Sequence, residues 1–442
     1  MSRTNASLGQ LPAISVPAYL VLGAITMITP LATNMYVPAL PALATSFGVT
    51  AATAQFTVSA TLIGIVVGQL AIGSISDRVG RRMPALVGTA LFVVSSILCA
   101  AAPSMPILIG CRFLEGFAGA SGVVLARASI RDRVDGRQAA QALSRLLIVA
   151  AIGPIIGPFL GSLALRFTDW RGVFLALAGA GAVAFLLALR WFPETLPARR
   201  RWARDAPLPT KPDRREQSRA WRRLIGDRHF WAYVVIAGLL GAMSFTWLSS
   251  GSFFMNEIYG TDATGYSLLV GFTSLCFLIG AWLNSRAVLR IGPRHALLRG
   301  LVVIALGATL LLSTTIVQLP FVVALLGIGV TIGAYGGMIA NAQALGMARH
   351  GDAAGAASAF LGASQFLFGA LIPPIVTLAF GFTWAMPATI LFVSATAFTI
   401  TALQRGRRSG GLQSESTSRP DDRELNEELT DPPVGLDPET AL

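Results

Sequence analysis

Gly73-Ser-Ile-Ser-Asp77-Arg78-Val-Gly80-Arg81-Arg82 lies between two long apolar runs, 53–75 and 84–102. Each run is about as long as a helix needs to cross a bilayer. The ten residues between them hold three arginines and one acid, which cannot enter hydrocarbon, and a glycine at 80 that admits a tight turn. The stretch decides the fold because it recurs. Leu289-Arg290-Ile-Gly292-Pro-Arg294 places Arg290, Gly292 and Arg294 at one offset of 212 residues from Arg78, Gly80 and Arg82. The same turn between two further apolar runs predicts a parallel repeat, two similar halves with a site between them.

The composition agrees. Of 442 residues, 54% are hydrophobic and only 13% charged, and the mean hydropathy is +0.64. Soluble domains carry about 25% charged residues, so this chain cannot coat a water-facing surface. Runs of about 20 mostly apolar residues occur twelve times, near 17–40, 53–75, 84–102, 105–127, 139–165, 171–192, 231–256, 265–286, 296–316, 320–342, 354–380 and 385–403. Numbered spans 1 to 12 in that order, they predict an all-α membrane protein in two six-helix halves. Span 1 follows a polar segment without a small-residue cleavage pattern and reads as retained helix rather than signal peptide.

The formal charge of +12 is distributed by side. Arginines fill the 2–3, 4–5 and 8–9 loops, while the 1–2, 3–4, 9–10 and 11–12 loops hold no Arg or Lys. Only Arg166 and Arg171 flank a turn on that second side. By the positive-inside rule both termini are cytoplasmic. The longest connection, Ala198 to Phe230, has eleven basic residues against four acids, as expected of a linker on an anionic leaflet. The charge therefore does not predict a nucleic-acid partner. After Arg408 come nine acids against Arg419 and Arg423, a composition that cannot form a packed core. The expected organisation is an N-terminal segment 1–16, a first half 17–192, a basic linker 193–230, a second half 231–404 and a disordered acidic tail 405–442.

Several classes are unsupported. Cys99, Cys111 and Cys276 are scattered, with no metal spacing, and no cofactor is expected. There is no GxxxxGK[ST] loop for an ATP-driven pump and no catalytic constellation for a membrane enzyme. His229, His295 and His350 flank helix ends and read as interfacial side chains.

Gly73-xxx-Asp77-Arg78-x-Gly80-Arg81-Arg82 resembles the signature loop of the major facilitator superfamily. Asp77 is suited to sit near a helix N-terminus or to pair with an arginine, latching that side. The second copy has Leu289 in its place, so a latch would be asymmetric. In span 5, Gly153-Pro154-Ile-Ile-Gly157-Pro158-Phe-Leu-Gly161 puts small residues four apart, a smooth seam for another helix. It resembles the antiporter motif of the superfamily's exporters, and the same spacing also serves plain packing. Met35-Tyr36-Val37-Pro38-Ala39-Leu40-Pro41, Ala126-Arg127-Ala-Ser-Ile-Arg131-Asp132, Asp169-Trp170-Arg171-Gly-Val-Phe174 and Pro193-Glu194-Thr195-Leu196 narrow the likeness. Together they resemble the Bcr/CflA branch, bicyclomycin- and chloramphenicol-resistance antiporters with twelve helices.

That resemblance implies a monomeric, multi-pass transporter of a bacterial inner membrane. It would exchange protons for small, mostly apolar, drug-like substrates. Ionisable groups inside spans are costly and usually functional. Arg112 and Glu115 lie three apart on one face of span 4. The resemblance ties an arginine at the place of Arg112 to proton coupling, with an acid just before the Met-Tyr-Val-Pro run as its partner. This chain has Asn34 there, and Asn cannot exchange a proton near neutral pH. Either Glu115 carries the proton, or the pair is structural and coupling is altered or lost. Cavity walls are expected from Tyr36, Gln55, Trp247, Phe253, Asn256, Glu257, Asn341, Gln343 and Gln365. Export or facilitated passage of a sugar- or amino-acid-like metabolite is the alternative, and a non-transporting sensor stays open.

Overall fold

The computed structural model describes residues 16–134, 136–196, 221–350 and 354–404. The N-terminal segment before 16, most of the linker and the acidic tail lie outside the described residues. What is described is helical, with no strand. Eleven helices are long and apolar enough to cross a membrane, and one of them, Ala263–Val317, runs for 55 residues. A straight helix of that length would rise about 80 Å, more than twice a bilayer. It does not run straight, because at Gly292 the backbone leaves the helical region (φ 75°, ψ 160°) and the chain turns. The run is spans 8 and 9, so all twelve expected spans are present.

Boundaries moved for local reasons. Span 1 is helical over Val16–Asn34 and then breaks. Val37–Ala39 forms a 3₁₀ turn and Leu40–Phe47 a short helix, each with proline in its first turn. Pro38 and Pro41 start new helices rather than ending one, since a missing N–H costs nothing at a helix start. Span 2 (Ala51–Val79) is capped by the Thr50 side chain, which accepts from the Thr53 N–H. Span 4 (Met105–Arg131), span 7 (Arg228–Tyr259) and span 10 (Phe321–Met347) carry their helices past the apolar runs into polar residues.

Span 2 packs on span 4, span 3 (Arg82–Ala100) on span 4 and span 6 (Trp170–Trp191), and span 1 on spans 4, 5 and 6. Span 5 is Gly136–Leu165. In the second half spans 8 and 9 pack on span 10, and span 7 on span 11 (Ala354–Phe380). Span 2 crosses to span 11 and span 5 to the run holding spans 8 and 9, joining the halves. Large apolar side chains such as Leu70, Val87, Leu186, Leu306 and Phe392 face outward, as a lipid-facing surface requires. Many buried hydroxyls return to their own helix, as Thr26 donates to the Leu22 carbonyl and Thr61 to the Thr57 carbonyl.

Candidate functional site

Arg112 and Glu115 are both fully buried, and Arg112 Nη1 donates to Glu115 Oε2. Four neighbouring helices complete their shell. From span 1, the Ala32 carbonyl accepts from Arg112 Nη2 at 2.9 Å and the Tyr36 ring lies 3.9 Å beneath the guanidinium. From span 3, Ser96 Oγ donates to Glu115 Oε1 at 2.7 Å and Cys99 Sγ lies 4.0 Å from Oε2. Span 6 supplies the Phe174 ring at 5.4 Å, and span 2 contributes Thr57 Oγ1, 3.3 Å from the Tyr36 hydroxyl. A charge pair in hydrocarbon survives only with such neighbours. One donor is left over: Arg112 Nε is buried and without a hydrogen-bond partner. Ser96, Cys99 and Thr57 escaped sequence reading because they are ordinary polar residues in apolar runs.

Asn34 is engaged elsewhere. Its amide donates to the Pro30 carbonyl at 2.7 Å and to Thr33 Oγ1 at 2.9 Å. Its flank lies against span 5, where a Cβ on Gly157 would come within 3.0 Å of Asn34 Cβ. The same seam continues on both sides: a Cβ on Gly153 would strike the Pro30 ring, and one on Gly161 the Met35 carbonyl. The small residues of span 5 thus let it lie directly on span 1. Pro154 faces outward, and the Pro158 carbonyl accepts from Ser267 Oγ of span 8 at 2.8 Å.

At the arginine-rich end, Gly80 has φ 102° and turns the chain from span 2 to span 3. Arg81 is the centre of the cluster. Its Nη1 donates to Asp77 Oδ1 at 2.6 Å and Ser76 Oγ at 2.7 Å, and its Nε to Asp132 Oδ2 at 2.9 Å. Burial alone would lower the pKa of Arg81. Its hydrogen bonds and charge contacts with Asp132 and Asp77 outweigh that and raise it above its ordinary value. The start of span 3 is capped from the end of span 6, where Glu194 Oε1 accepts from the Arg81 N–H (2.9 Å) and Oε2 from the Arg82 N–H (3.2 Å). Thr195 Oγ1 donates to Asp132 Oδ2 at 3.0 Å. Asp77 therefore pairs with an arginine, and the helix N-terminus falls to Glu194. Gly73 is half-buried beside span 4 and Arg78 is exposed. Arg82 Nη2 reaches the Leu189 carbonyl at 3.0 Å.

The same end of the second half is tied by a pair that sequence reading placed at the surface. His350 is buried, and its Nε2 lies 2.9 Å from Asp227 Oδ2. Asp227 also caps span 7 by accepting from the His229 N–H at 2.8 Å. Burial raises the Asp227 pKa, but the His229 N–H, His350 and Arg349 together bring it below the ordinary carboxylate value.

The residues expected to wall one cavity do not gather at one place. Tyr36 belongs to the Arg112 shell. Gln55 Nε2 crosses to Ser250 Oγ of span 7 at 3.0 Å. Trp247 is buried, its ring 6.0 Å from that of Tyr266, and Phe253 is buried nearby on span 7. Asn256 and Glu257 are exposed at the end away from the arginine-rich loops, where Asn256 lines a pocket. Asn341 exchanges hydrogen bonds with Asn284 of span 8, 2.9 Å in the better direction. Gln343 is half-buried, and Gln365 is half-buried with its amide donating to the Leu361 carbonyl at 3.1 Å. Gln55–Ser250, Ser267–Pro158 and the Ser59 hydroxyl on the Ala370 carbonyl all join the two halves.

A repeated bundle of twelve membrane-length helices, with a charge pair sealed inside it, defines a polytopic transporter. The chain belongs to the major facilitator superfamily, whose family model matches residues 22–373. It is 32% identical over 378 residues to the uncharacterised MFS-type transporter YdgK of Bacillus subtilis, covering 85% of this chain and 91% of that one. It is 26% identical to the bicyclomycin resistance protein homolog of Haemophilus influenzae, with 81% and 88% covered. It is 29% identical to the multidrug resistance protein MdtL of Escherichia fergusonii, with 77% and 83% covered. Among solved structures it superposes on a D-xylose-proton symporter with a TM-score of 0.68 at 17% identity, covering 88% of this chain and 98% of that one. The nucleoside transporter NupG gives 0.69 at 14% identity, with 87% and 98% covered. Both share the fold.

Proposed function

We propose that this protein is a secondary exporter of small, mostly apolar compounds, driven by proton entry and working by alternating access as a monomer in a bacterial inner membrane. Both termini lie on the cytoplasmic side, with the arginine-rich loops. The observation that carries the reading is the Arg112–Glu115 pair, fully buried in a membrane region with few other charges. Glu115 is the proton carrier. Protonation would remove its attraction for Arg112, whose contacts on span 1 could then rearrange. The names of the Haemophilus and Escherichia relatives support drugs as the cargo. The hydrogen bonds from Gln55, Ser59 and Ser267 across the halves support a closed outer end.

A second reading, transport with coupling altered or lost, is favoured by one observation. Asn34 stands at the expected acid's place, and its amide is spent on Pro30 and Thr33. The two readings separate in proteoliposomes with an imposed pH gradient. If Glu115 is the carrier, wild type accumulates drug against its gradient and Asn34→Asp changes the coupling without creating it. Accumulation that appears only in Asn34→Asp would select the second reading.

A further inference from the structure

We propose that the end of the bundle away from the arginine-rich loops carries a separate binding site for amphipathic organic cations. A pocket of about 500 Å³ opens there, walled by Asp169, Trp170, Ser252, Asn256, Asp262 and Tyr266. The proline-bearing turn after span 1, with Pro38 and Pro41, closes one side. Trp170 and Tyr266, 3% and 2% exposed, are packed into the protein behind the pocket and hold its wall firm. Ser252 Oγ is buried in its wall and has no hydrogen-bond partner, an unmet polar group that a ligand can satisfy.

The charge of the lining selects the ligand. It includes two carboxylates and neither Lys nor Arg. Asp169 Oδ1 accepts the Arg171 N–H, and the Arg171 guanidinium lies 3.9 Å from Oδ2 and 4.2 Å over the Trp170 ring, so this acid is partly answered. Asp262 spends Oδ1 on the Gly265 N–H at 2.8 Å and has no ion-pair partner among the described residues. An exposed carboxylate and an idle hydroxyl in one pocket, with Pro38, Pro41 and Leu165 as apolar wall, fit a bulky cation with apolar substituents.

The pocket is built from both halves: the short helices after span 1 and the 5–6 turn on one side, spans 7 and 8 on the other. It adjoins the bond from Ser267 to the Pro158 carbonyl. Separation of the halves at this end would dismantle it. A cation seated there binds only the closed arrangement and must therefore favour it, whatever the cargo. Under the proposed orientation the ligand comes from outside and slows turnover, and only that statement of side rests on the functional reading.

The test uses the full chain in nanodiscs and tetraphenylphosphonium as the probe, with efflux measured on the same variants in vesicles. Asp262→Asn keeps the helix cap and removes the charge, so it is expected to weaken binding about tenfold. Ser252→Ala is expected to weaken it about threefold. Tetraphenylborate, of the same shape and opposite charge, should show no uptake beyond that of protein-free nanodiscs, whose lipid takes up both ions. Unchanged protein-dependent tetraphenylphosphonium affinity in both variants, or equally tight protein-dependent tetraphenylborate binding, overturns the site. Wild-type binding that obeys these expectations without drug efflux overturns the export reading and leaves the site standing. Efflux that persists while both variants bind as wild type does the reverse.

Discussion

Residues 73–82 and their counterparts 285–294 are two versions of one turn, and among the described residues only the first carries an ion cluster. Both hold a glycine in the left-handed region, φ 102° at Gly80 and 75° at Gly292. Both place an arginine two residues later on the last helix of its own half. Arg82 donates to the Leu189 carbonyl at 3.0 Å and Arg294 to the Thr401 carbonyl at 3.2 Å, and Thr401 lies 212 residues after Leu189. Around this shared frame the halves diverge. Asp77, Arg81 and Asp132 become Leu289, Pro293 and Ala344, and Leu289 is 88% exposed. The frame answers a backbone need common to both halves. The Asp77–Arg81–Asp132 ion cluster, with Glu194, ties spans 2, 3, 4 and 6 together, and it has no counterpart among the described residues of the second half. The buried pair follows the same asymmetry, since 212 residues after Arg112 stands the buried, apolar Ala324.

Breaking the asymmetry inside the membrane should have the largest effect. Arg112→Leu strands a buried carboxylate and is expected to cost about 3–5 kcal/mol, read as a lower melting temperature of the purified protein. Arg112→Leu with Glu115→Leu should recover most of that loss, because the second half already tolerates an apolar residue there. A double variant as unstable as the single one would show that the pair supplies net stability rather than function.

The contrast at the turns comes next. Arg81→Ala removes bonds to two carboxylates and should cost about 1.5–3 kcal/mol. Arg294→Ala, which gives up the Thr401 and Ala402 carbonyl bonds, is expected to cost less in the same melting assay. Equal losses would mean that the latch adds nothing to the shared frame. The smallest difference lies at the glycines. Alanine at either position would take a positive-φ, extended-ψ backbone kept essentially for glycine, at a cost of about 1–3 kcal/mol. A Cβ at Gly292 meets open space, whereas one at Gly80 would press into the Glu194 carboxylate that caps span 3. Gly80→Ala should therefore melt lower than Gly292→Ala, and the order would invert if Glu194 moves aside freely.

The parts legible in the sequence are those with local causes. Twenty apolar residues make a span, an arginine-rich turn marks a side, and glycines four apart make the seam that lies on Pro30, Asn34 and Met35. Glu115 stood out because so few charges enter the membrane. Contacts remote in the chain were illegible. Arg81 meets Asp132 across 51 residues and Glu194 across 113, and His350 meets Asp227 across 123. Position at a helix end suggested an exposed histidine, yet packing against Phe230, with ring centroids 5.5 Å apart, buries it. The break after Asn34 was missed because Pro38 and Pro41 read equally well as a helix end and as two helix starts.

If the first half's buried acid carries the proton, its removal should uncouple transport without stopping it. Wild type and Glu115→Gln should be compared in proteoliposomes for two activities: drug exchange without a gradient, and drug accumulation under an imposed pH gradient. Glu115→Gln is expected to keep exchange and to lose accumulation, together with drug-induced proton release. Accumulation and proton release at wild-type levels in Glu115→Gln would contradict the carrier role.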